Sequence, residues 1–198
     1  TTETRQRTTI QANPPPVPAL REAWDPKRVR FIDGPDGEAI PVRCYGTRHR
    51  RRPVLLLHGL QSHSGWFVQS ADAIAAAGHP CYAMDRQGSG LSAQARGHCL
   101  HLDRWLDEID VVLREALRNH DADDAVIVGH GMGALLAAAY GCRFDDRVAG
   151  IACVAPLLGI CRRLPTWRRF AIWWQRWLRP GRAHPLPVAG DRLGVEEA

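Results

Sequence analysis

The stretch that decides the fold reads Ala125-Val126-Ile127-Val128-Gly129-His130-Gly131-Met132-Gly133-Ala134-Leu135-Leu136-Ala137-Ala138. It begins with a short β-branched apolar run, which predicts a buried strand. Alternating glycines follow the strand, and a helix of small residues begins directly after them. Strand, glycines and helix in immediate succession predict a sharp strand-to-helix turn centred on Gly131.

Such a turn is the context of a nucleophile elbow, Gly-x-Ser-x-Gly, in which the middle residue lies strained and exposed above a sheet. Gly129 and Gly133 occupy the outer positions and let strand and helix come close together, with His130 between them and the centre. The middle position is Gly131, so the elbow lacks the hydroxyl that would attack a carbonyl. Glycine adopts the required backbone more easily than serine because it has no Cβ. The alternative is an ordinary tight turn in another α/β protein.

Composition indicates a single globular domain. The chain has 198 residues, of which 45% are hydrophobic and 24% are charged, as in soluble proteins. No apolar run approaches the roughly 20 residues of a membrane span, and the polar N-terminus has no apolar stretch typical of a signal peptide. The six cysteines contain no C-x-x-C pair. We therefore expect reduced, mostly buried thiols in a cytoplasmic protein, and no zinc or other metal site.

The positive charge of the chain is concentrated in one segment. The net charge is +5, yet residues 161–182 contain seven arginines and no acidic residue. The remainder of the chain is therefore slightly acidic. This distribution predicts one basic surface and argues against a protein that coats nucleic acid.

Strands and helices alternate along the chain. Segments 29–32 and 39–45 predict an antiparallel pair around a turn, with Pro41 indicating an edge strand. The further elements predicted are strands at 53–57, 81–84 and 148–154, a helix ending at Gly78, an amphipathic helix at 103–119 and the elbow helix, which ends near Cys142. This alternation implies right-handed crossovers and a mostly parallel sheet with helices on both faces.

Three regions follow from these patterns. Residues 1–28 are polar and then proline-rich, which predicts a flexible arm before a core of residues 29–160. Residues 161–198 form a basic, tryptophan-rich segment and tail. If 148–154 is the last strand, its apolar edge is open to pairing, and we expect self-association through it.

Four motifs, in order along the chain, carry a family resemblance. They are Leu55-Leu56-Leu57-His58-Gly59, Gln61-Ser62-His63-Ser64-Gly65-Trp66, Asp85-Arg86-Gln87-Gly88-Ser89-Gly90-Leu91-Ser92 and Gly129-His130-Gly131-Met132-Gly133. Over about residues 29–160 the chain resembles the α/β-hydrolase superfamily, and within it the monoacylglycerol lipase and lysophospholipase-like serine hydrolases. The resemblance implies an α/β-hydrolase fold, an acyl ester or lipid ligand and no cofactor. It also implies that the backbone N–H groups of Leu60 and Met132 form an oxyanion hole.

The chain also departs from this family. Gly131 occupies the position of the nucleophile. The family places an acid and then a histidine after later strands, whereas here His184 precedes Asp191, in the reverse order. The family's last strands and its acid–base pair are therefore missing from the sequence as written, and we expect no covalent acyl transfer from it.

Three functions stay open at this point. The first is an ester or lipid hydrolase of which this sequence is a partial or altered form. The second is a pseudoenzyme that keeps an acyl-binding pocket or a protein-binding surface without turnover. The third is a dinucleotide-binding protein, because Gly129-x-Gly131-x-x-Ala134 fits the fingerprint G-x-G-x-x-G/A. That fingerprint normally follows the first strand of its unit, whereas here several strands precede it.

The segment 166–178 predicts an amphipathic helix. Helical spacing places Trp167, Phe170, Trp174 and Trp177 in one aromatic stripe, with the arginines largely elsewhere around the helix. The resemblance makes it a cap helix at an acyl-chain entrance. Its chemistry also suits peripheral contact with anionic membranes through residues 161–182, packing on its own domain, or an interface with a partner.

Overall fold

A computed structural model describes residue 25 and residues 27–47, 51–99, 101–158 and 166–178. The chain divides into two compact units, Thr1–Leu158 and Gly159–Ala198. Most of the predicted N-terminal arm and the predicted C-terminal tail lie outside the described residues. Of the predicted arm, residues 25 and 27–28 are described, and Arg28 pairs with Asp72.

The first unit contains every strand and helix that the sequence predicts between residues 29 and 154. Its strands are β1 (Val29–Asp33), β2 (Ala39–Tyr45), β3 (Val54–Leu57), β4 (Cys81–Met84), β5 (Ala125–His130) and β6 (Val148–Val154). Its α-helices are α1 (Val68–Ala76), α2 (Leu102–His120) and α3 (Met132–Arg143), with short 3-10 helices at Ser64–Phe67 and Asp145–Arg147. The second unit contributes α4 (Thr166–Leu178).

The strands form a six-stranded sheet in the order β1-β2-β4-β3-β5-β6. The pairs β1–β2 and β2–β4 are antiparallel, whereas β4, β3, β5 and β6 run parallel. The chain passes from β3 to β4 on one side and then returns to place β5 on the other side of β3. Strand order thus reverses at β3, and in open α/β sheets such a reversal creates a ligand-binding crevice at the carboxyl ends of the strands.

The edge position predicted from Pro41 is wrong. β2 lies between β1 and β4, and Pro41 is fully buried. Its carbonyl oxygen accepts a hydrogen bond from the Asp85 N–H at 2.8 Å, just beyond the last paired residues, Val42 and Met84. The backbone N and the carbonyl oxygen of one strand residue point toward the same neighbouring strand, so the nitrogen of Pro41 also faces β4. The N–H that proline lacks would therefore lie at the end of the β2–β4 ladder. An interior strand tolerates proline at such a terminal position.

Apolar side chains form a core on each face of the sheet. On one face α2 and α3 pack against the strands through residues that include Leu55, Ile109 and Tyr140. On the other face α1 packs through Ala71 against residues that include Leu56. Neighbouring residues of a strand point to opposite faces, so both must be apolar when both faces are covered. Helices on both faces, as predicted, explain why β3 is apolar throughout.

β6 is the last strand of the sheet in the described part of the chain. Its residues from Ile151 to Val154 are exposed, with 38% of Ile151 and 49% of Val154 accessible to solvent. The strand contains no charge and no proline, the features that usually protect an edge from pairing. The sheet therefore presents an apolar edge.

The prediction of mostly buried thiols is wrong for the cysteines that the structure describes. Among them only Cys81 is buried; half-buried or exposed are Cys44, Cys99, Cys142 and Cys153. Cys153 is exposed because it lies on β6, at the edge of the sheet, where the side chains of an apolar strand are not necessarily buried. Cys161 lies outside the described residues.

Candidate active site

Two segments that the sequence marks as functional meet at the strand-order reversal. β3 leads into His58, Gly59 and Leu60, and β5 leads into Gly131 at the start of α3. A Cβ built on Gly131 would lie 3.6 Å from the Gly59 Cα atom. The loop after β3 therefore lies directly against the turn after β5.

The turn at Gly131 has an unusual backbone. Its φ of +58° and ψ of −115° lie in a region that residues with a Cβ rarely adopt. The Gly131 N–H donates to the carbonyl oxygen of Val154 at 3.0 Å. The Gly131 carbonyl oxygen accepts from the N–H groups of Ala134 at 3.2 Å and Leu157 at 3.1 Å. The sharp turn predicted from the sequence is thus present, and it is tied both to the end of β6 and to the first turn of α3.

The three glycines of this turn have different steric roles. A Cβ at Gly129 would lie 2.5 Å from the N and Cα atoms of Ala134, and one at Gly133 would lie 2.7 Å from the His58 carbonyl oxygen. Real side chains do not tolerate such distances, so close packing of strand and helix requires both outer glycines. At Gly131 the nearest atom is an ordinary 3.6 Å away. The central position has room for a side chain and only its backbone angles favour glycine.

Arg86 holds the loop after β3. Its guanidinium is buried and donates to the carbonyl oxygens of Gly59 at 2.7 Å and His58 at 2.5 Å. Burial lowers the pKa of Arg86 to about 10, so the group still carries its charge at neutral pH. The carbonyl and N–H of a trans peptide point in opposite directions. Because Arg86 fixes the Gly59 carbonyl, the N–H of Leu60 points away from Arg86.

His58 is a structural residue of this loop. Its side chain is 1% exposed, and its Nδ1 lies 2.9 Å from the Gly59 carbonyl oxygen, so Nδ1 is the donor. Burial, and after it the positive charge of Arg86, lower the pKa of His58 to about 4. The imidazole is therefore neutral at physiological pH.

A second buried cluster, Arg43, Ser64 and Asp85, ties the chain after Leu60 to the turn after β4. The Asp85 carboxylate accepts from the Ser64 N–H at 2.6 Å and from the Leu91 N–H at 2.8 Å. Arg43 lies 3.5 Å from the same carboxylate and also donates to the Ser64 hydroxyl. Sequence reasoning missed Arg43. The available signal was a basic residue in the otherwise apolar β2, which requires a buried acidic partner.

The serines that follow β3 and β4 include two whose hydroxyls serve the fold. Ser64 is fully buried against Arg43. The Ser92 hydroxyl is buried and lies within hydrogen-bond distance of the N–H groups of Gly88 at 3.3 Å and Gln94 at 3.4 Å. The Ser64 hydroxyl therefore binds a buried arginine and the Ser92 hydroxyl stabilises a turn, and neither serine lies at an elbow.

The other predicted site residues lie as follows. Leu60 is 42% exposed, Met132 is the first residue of α3, and His130 is exposed at the end of β5 beside Gly59. The predicted lipid-facing residues Trp167, Phe170, Trp174 and Trp177 belong to α4, in the second unit. Among the residues described, no three His, Cys, Asp or Glu side chains are grouped as metal ligands would be.

A mixed sheet of this strand order, with helices on both faces and a glycine elbow after β5, defines the α/β-hydrolase fold. Within that class, the model of the serine aminopeptidase S33 family matches residues 48–192, and the chain belongs to this family. The fold and the family resemblance predicted from the four motifs are confirmed. The family assignment replaces the dinucleotide-binding alternative.

Some of the relatives are named as lipid-acting enzymes. Monoacylglycerol lipase of Mycolicibacterium smegmatis is 29% identical over 106 residues, which cover 54% of this chain and 38% of that protein. Phospholipase YtpA of Bacillus subtilis is 27% identical over 108 residues, which cover 54% of this chain and 41% of that protein. The crystal structure of Paleococcus ferrophilus monoacylglycerol lipase is 26% identical with a TM-score of 0.61, covering 72% of this chain and 52% of that one. The chain spans about half or less of the length of these relatives.

Proposed function

We propose that this chain binds carboxylic esters or lipids as a hydrolase does, but does not hydrolyse them. The observation that carries the proposal is the elbow at Gly131, which keeps its backbone geometry and has no side chain. A serine hydrolase forms its acyl-enzyme through the hydroxyl at this position. Without that oxygen, covalent acyl transfer has no starting atom.

The acyl ester or lipid ligand is inferred from the relatives, which are named a monoacylglycerol lipase and a phospholipase. The site still offers backbone N–H groups to a carbonyl oxygen. Leu60 and Met132 are the proposed donors. The Leu60 N–H points away from Arg86, which binds the carbonyl of the same peptide group. Met132 is the first residue of α3, and the first N–H groups of a helix have no partner within the helix. In enzymes of this kind one such donor lowers the barrier by about 3 kcal/mol.

Replacement of Gly131 tests the proposal. We expect the unmodified chain to hydrolyse p-nitrophenyl esters no faster than the background that an oxyanion hole and binding provide. Gly131→Ser adds the missing hydroxyl in open space, but we expect no triad-type rate from it, since no acid–base pair in family order is recognised in this sequence. Gly131→Ala is the matched control, because it adds the same Cβ at the same positive φ without the hydroxyl.

Binding is measured separately from turnover. A hydrolysis-resistant ether analogue of a monoacylglycerol, titrated calorimetrically below its aggregation concentration, is expected to bind the unmodified chain. Absence of binding would refute the ligand class. Triad-type ester hydrolysis, by the unmodified chain or by Gly131→Ser alone, would refute the proposed lack of turnover and favour the active hydrolase.

A further inference from the structure

The helix α4 (Thr166–Leu178) has a continuous aromatic face. Six of its large apolar side chains are more than half exposed: Trp167, Phe170, Trp173, Trp174, Trp177 and Leu178. Phe170 contacts both neighbouring tryptophans, with ring centroids 5.8 Å from Trp173 and 6.3 Å from Trp174. Helical spacing places these six residues on one side of the helix. An aromatic surface of this size is unusual for a side that faces only water.

The charges of the same segment are all positive. At about 100° per residue, Arg168, Arg169 and Arg176 fall on the side of the helix opposite the aromatic face. No Asp or Glu occurs anywhere in residues 161–182, where there are seven arginines. A segment with this charge is attracted to an anionic surface over its whole length.

The length of α4 decides how it would meet such a surface. Its 13 residues span about 20 Å, shorter than the roughly 30 Å hydrocarbon core of a bilayer. In the part of the chain that the structure describes, none of the helices is both long and apolar enough to cross a membrane. Tryptophan prefers the headgroup level, because its ring is apolar and its N–H is polar. This combination is typical of a helix that lies in the plane of the interface.

We propose that α4 binds an anionic lipid surface, with its tryptophans at the level of the headgroups and its arginines held by the surface charge. Unlike the proposed ester binding, this contact involves no atom of the elbow. A diffuse negative surface suits a segment without acidic residues better than a protein partner does, since specific protein interfaces pair charges of both signs.

Vesicle co-sedimentation of the full chain tests the proposal. We expect binding to mixed phosphatidylcholine–phosphatidylserine vesicles, with a blue shift of the tryptophan emission, and much weaker binding to pure phosphatidylcholine. The double variant Trp173→Ala, Trp174→Ala should lower the partition coefficient roughly tenfold or more, since two large apolar contacts are lost. Alanine favours helix, so this variant keeps α4 folded.

The variant Arg168→Gln, Arg169→Gln tests the charge of the helix. It should lower binding about fivefold for each arginine, and only on anionic vesicles.

Trp66→Ala is the matched control. Trp66 is 70% exposed but lies in the first unit, so its loss should leave vesicle binding unchanged. Equal losses from Trp66→Ala and from the α4 variant would refute the assignment to α4. Equal binding to neutral and anionic vesicles, or no binding to either, would refute the anionic surface. Gly131→Ser changes no residue of α4 and should bind vesicles like the unmodified chain, which separates this result from the test of turnover.

Discussion

The turn after β5 and the loop after β3 meet at one crevice but are stabilised in opposite ways. Glycines and backbone hydrogen bonds set the turn, through Gly129, Gly131 and Gly133. Buried charged side chains hold the loop, through Arg86 and Asp85. The turn therefore needs no side chain to define its shape. The loop keeps its shape only while its buried charged groups keep their partners, which are backbone carbonyl oxygens for Arg86 and backbone N–H groups and Arg43 for Asp85.

The largest expected effect comes from the outer glycines of the turn. Gly133→Ala places a Cβ against backbone oxygen atoms that cannot move away, and we expect it to lower the free energy of unfolding by about 5 kcal/mol or more. Gly131→Ala should cost only about 1–3 kcal/mol, for its positive φ, because the space there is open. Urea unfolding followed by circular dichroism measures both. Equal losses would show that packing does not distinguish the two glycines.

Breaking the buried ion pair behind the loop should have the next largest effect. Asp85→Asn leaves the Arg43 charge buried without its partner, and we expect a loss of about 3–5 kcal/mol in the free energy of unfolding. The carboxylate also accepts two backbone N–H groups, which the amide serves less well.

A double-mutant cycle with Arg43→Met isolates the pair. If the two charges support each other, the double variant should lose clearly less than the sum of the single variants. The exposed pair Arg52–Asp124 provides the control, where removal of either charge should cost at most about 1 kcal/mol. Additive losses at Arg43 and Asp85 would contradict a loop held by paired charge.

The smallest of these effects depends on pH and involves His58. Its pKa is about 4 in the folded chain and near 6.5 when exposed, so the unfolded chain takes up a proton first as the pH falls. The neutral imidazole therefore contributes its full stability above pH 6.5, and this contribution is lost between about pH 6.5 and pH 4. The two pKa values correspond to a loss of roughly 3 kcal/mol.

Unfolding curves of the unmodified chain and of His58→Asn, recorded from neutral to acidic pH, measure this effect as their difference. At each pH, the difference between the two curves removes the contributions of the titratable groups that both chains share. A pH-independent difference for His58→Asn would show that the imidazole is not held neutral by burial.

Local patterns were enough to predict most of the fold and the elbow. The apolar run before Gly129, the immediate start of α3 and the alternation of strands and helices all depend on neighbours in sequence. Such periodicity is what the sequence records most directly. The residue at the centre of the turn, Gly131, could likewise be located, because the spacing of the motif fixes its position.

Long-range pairing could not be predicted in the same way. Arg43 and Arg86 act on groups 42 and 28 residues away, and nothing local identifies those partners. The prediction that Pro41 marks an edge strand was wrong because the hydrogen-bond ladder between β2 and β4 ends at this proline. Only the register of the two strands shows where the ladder ends. The cysteine prediction was wrong at Cys153 because an apolar strand looks the same in sequence at the centre and at the edge of a sheet.

The hydrogen bond from the Gly131 N–H to the Val154 carbonyl oxygen connects the turn after β5 to the edge of the sheet. Val154 is the final residue of β6. A segment or molecule that pairs with β6 will therefore change the rigidity of the turn at Gly131. The geometry of the turn is thus coupled to a neighbour of β6 that does not contact the turn itself.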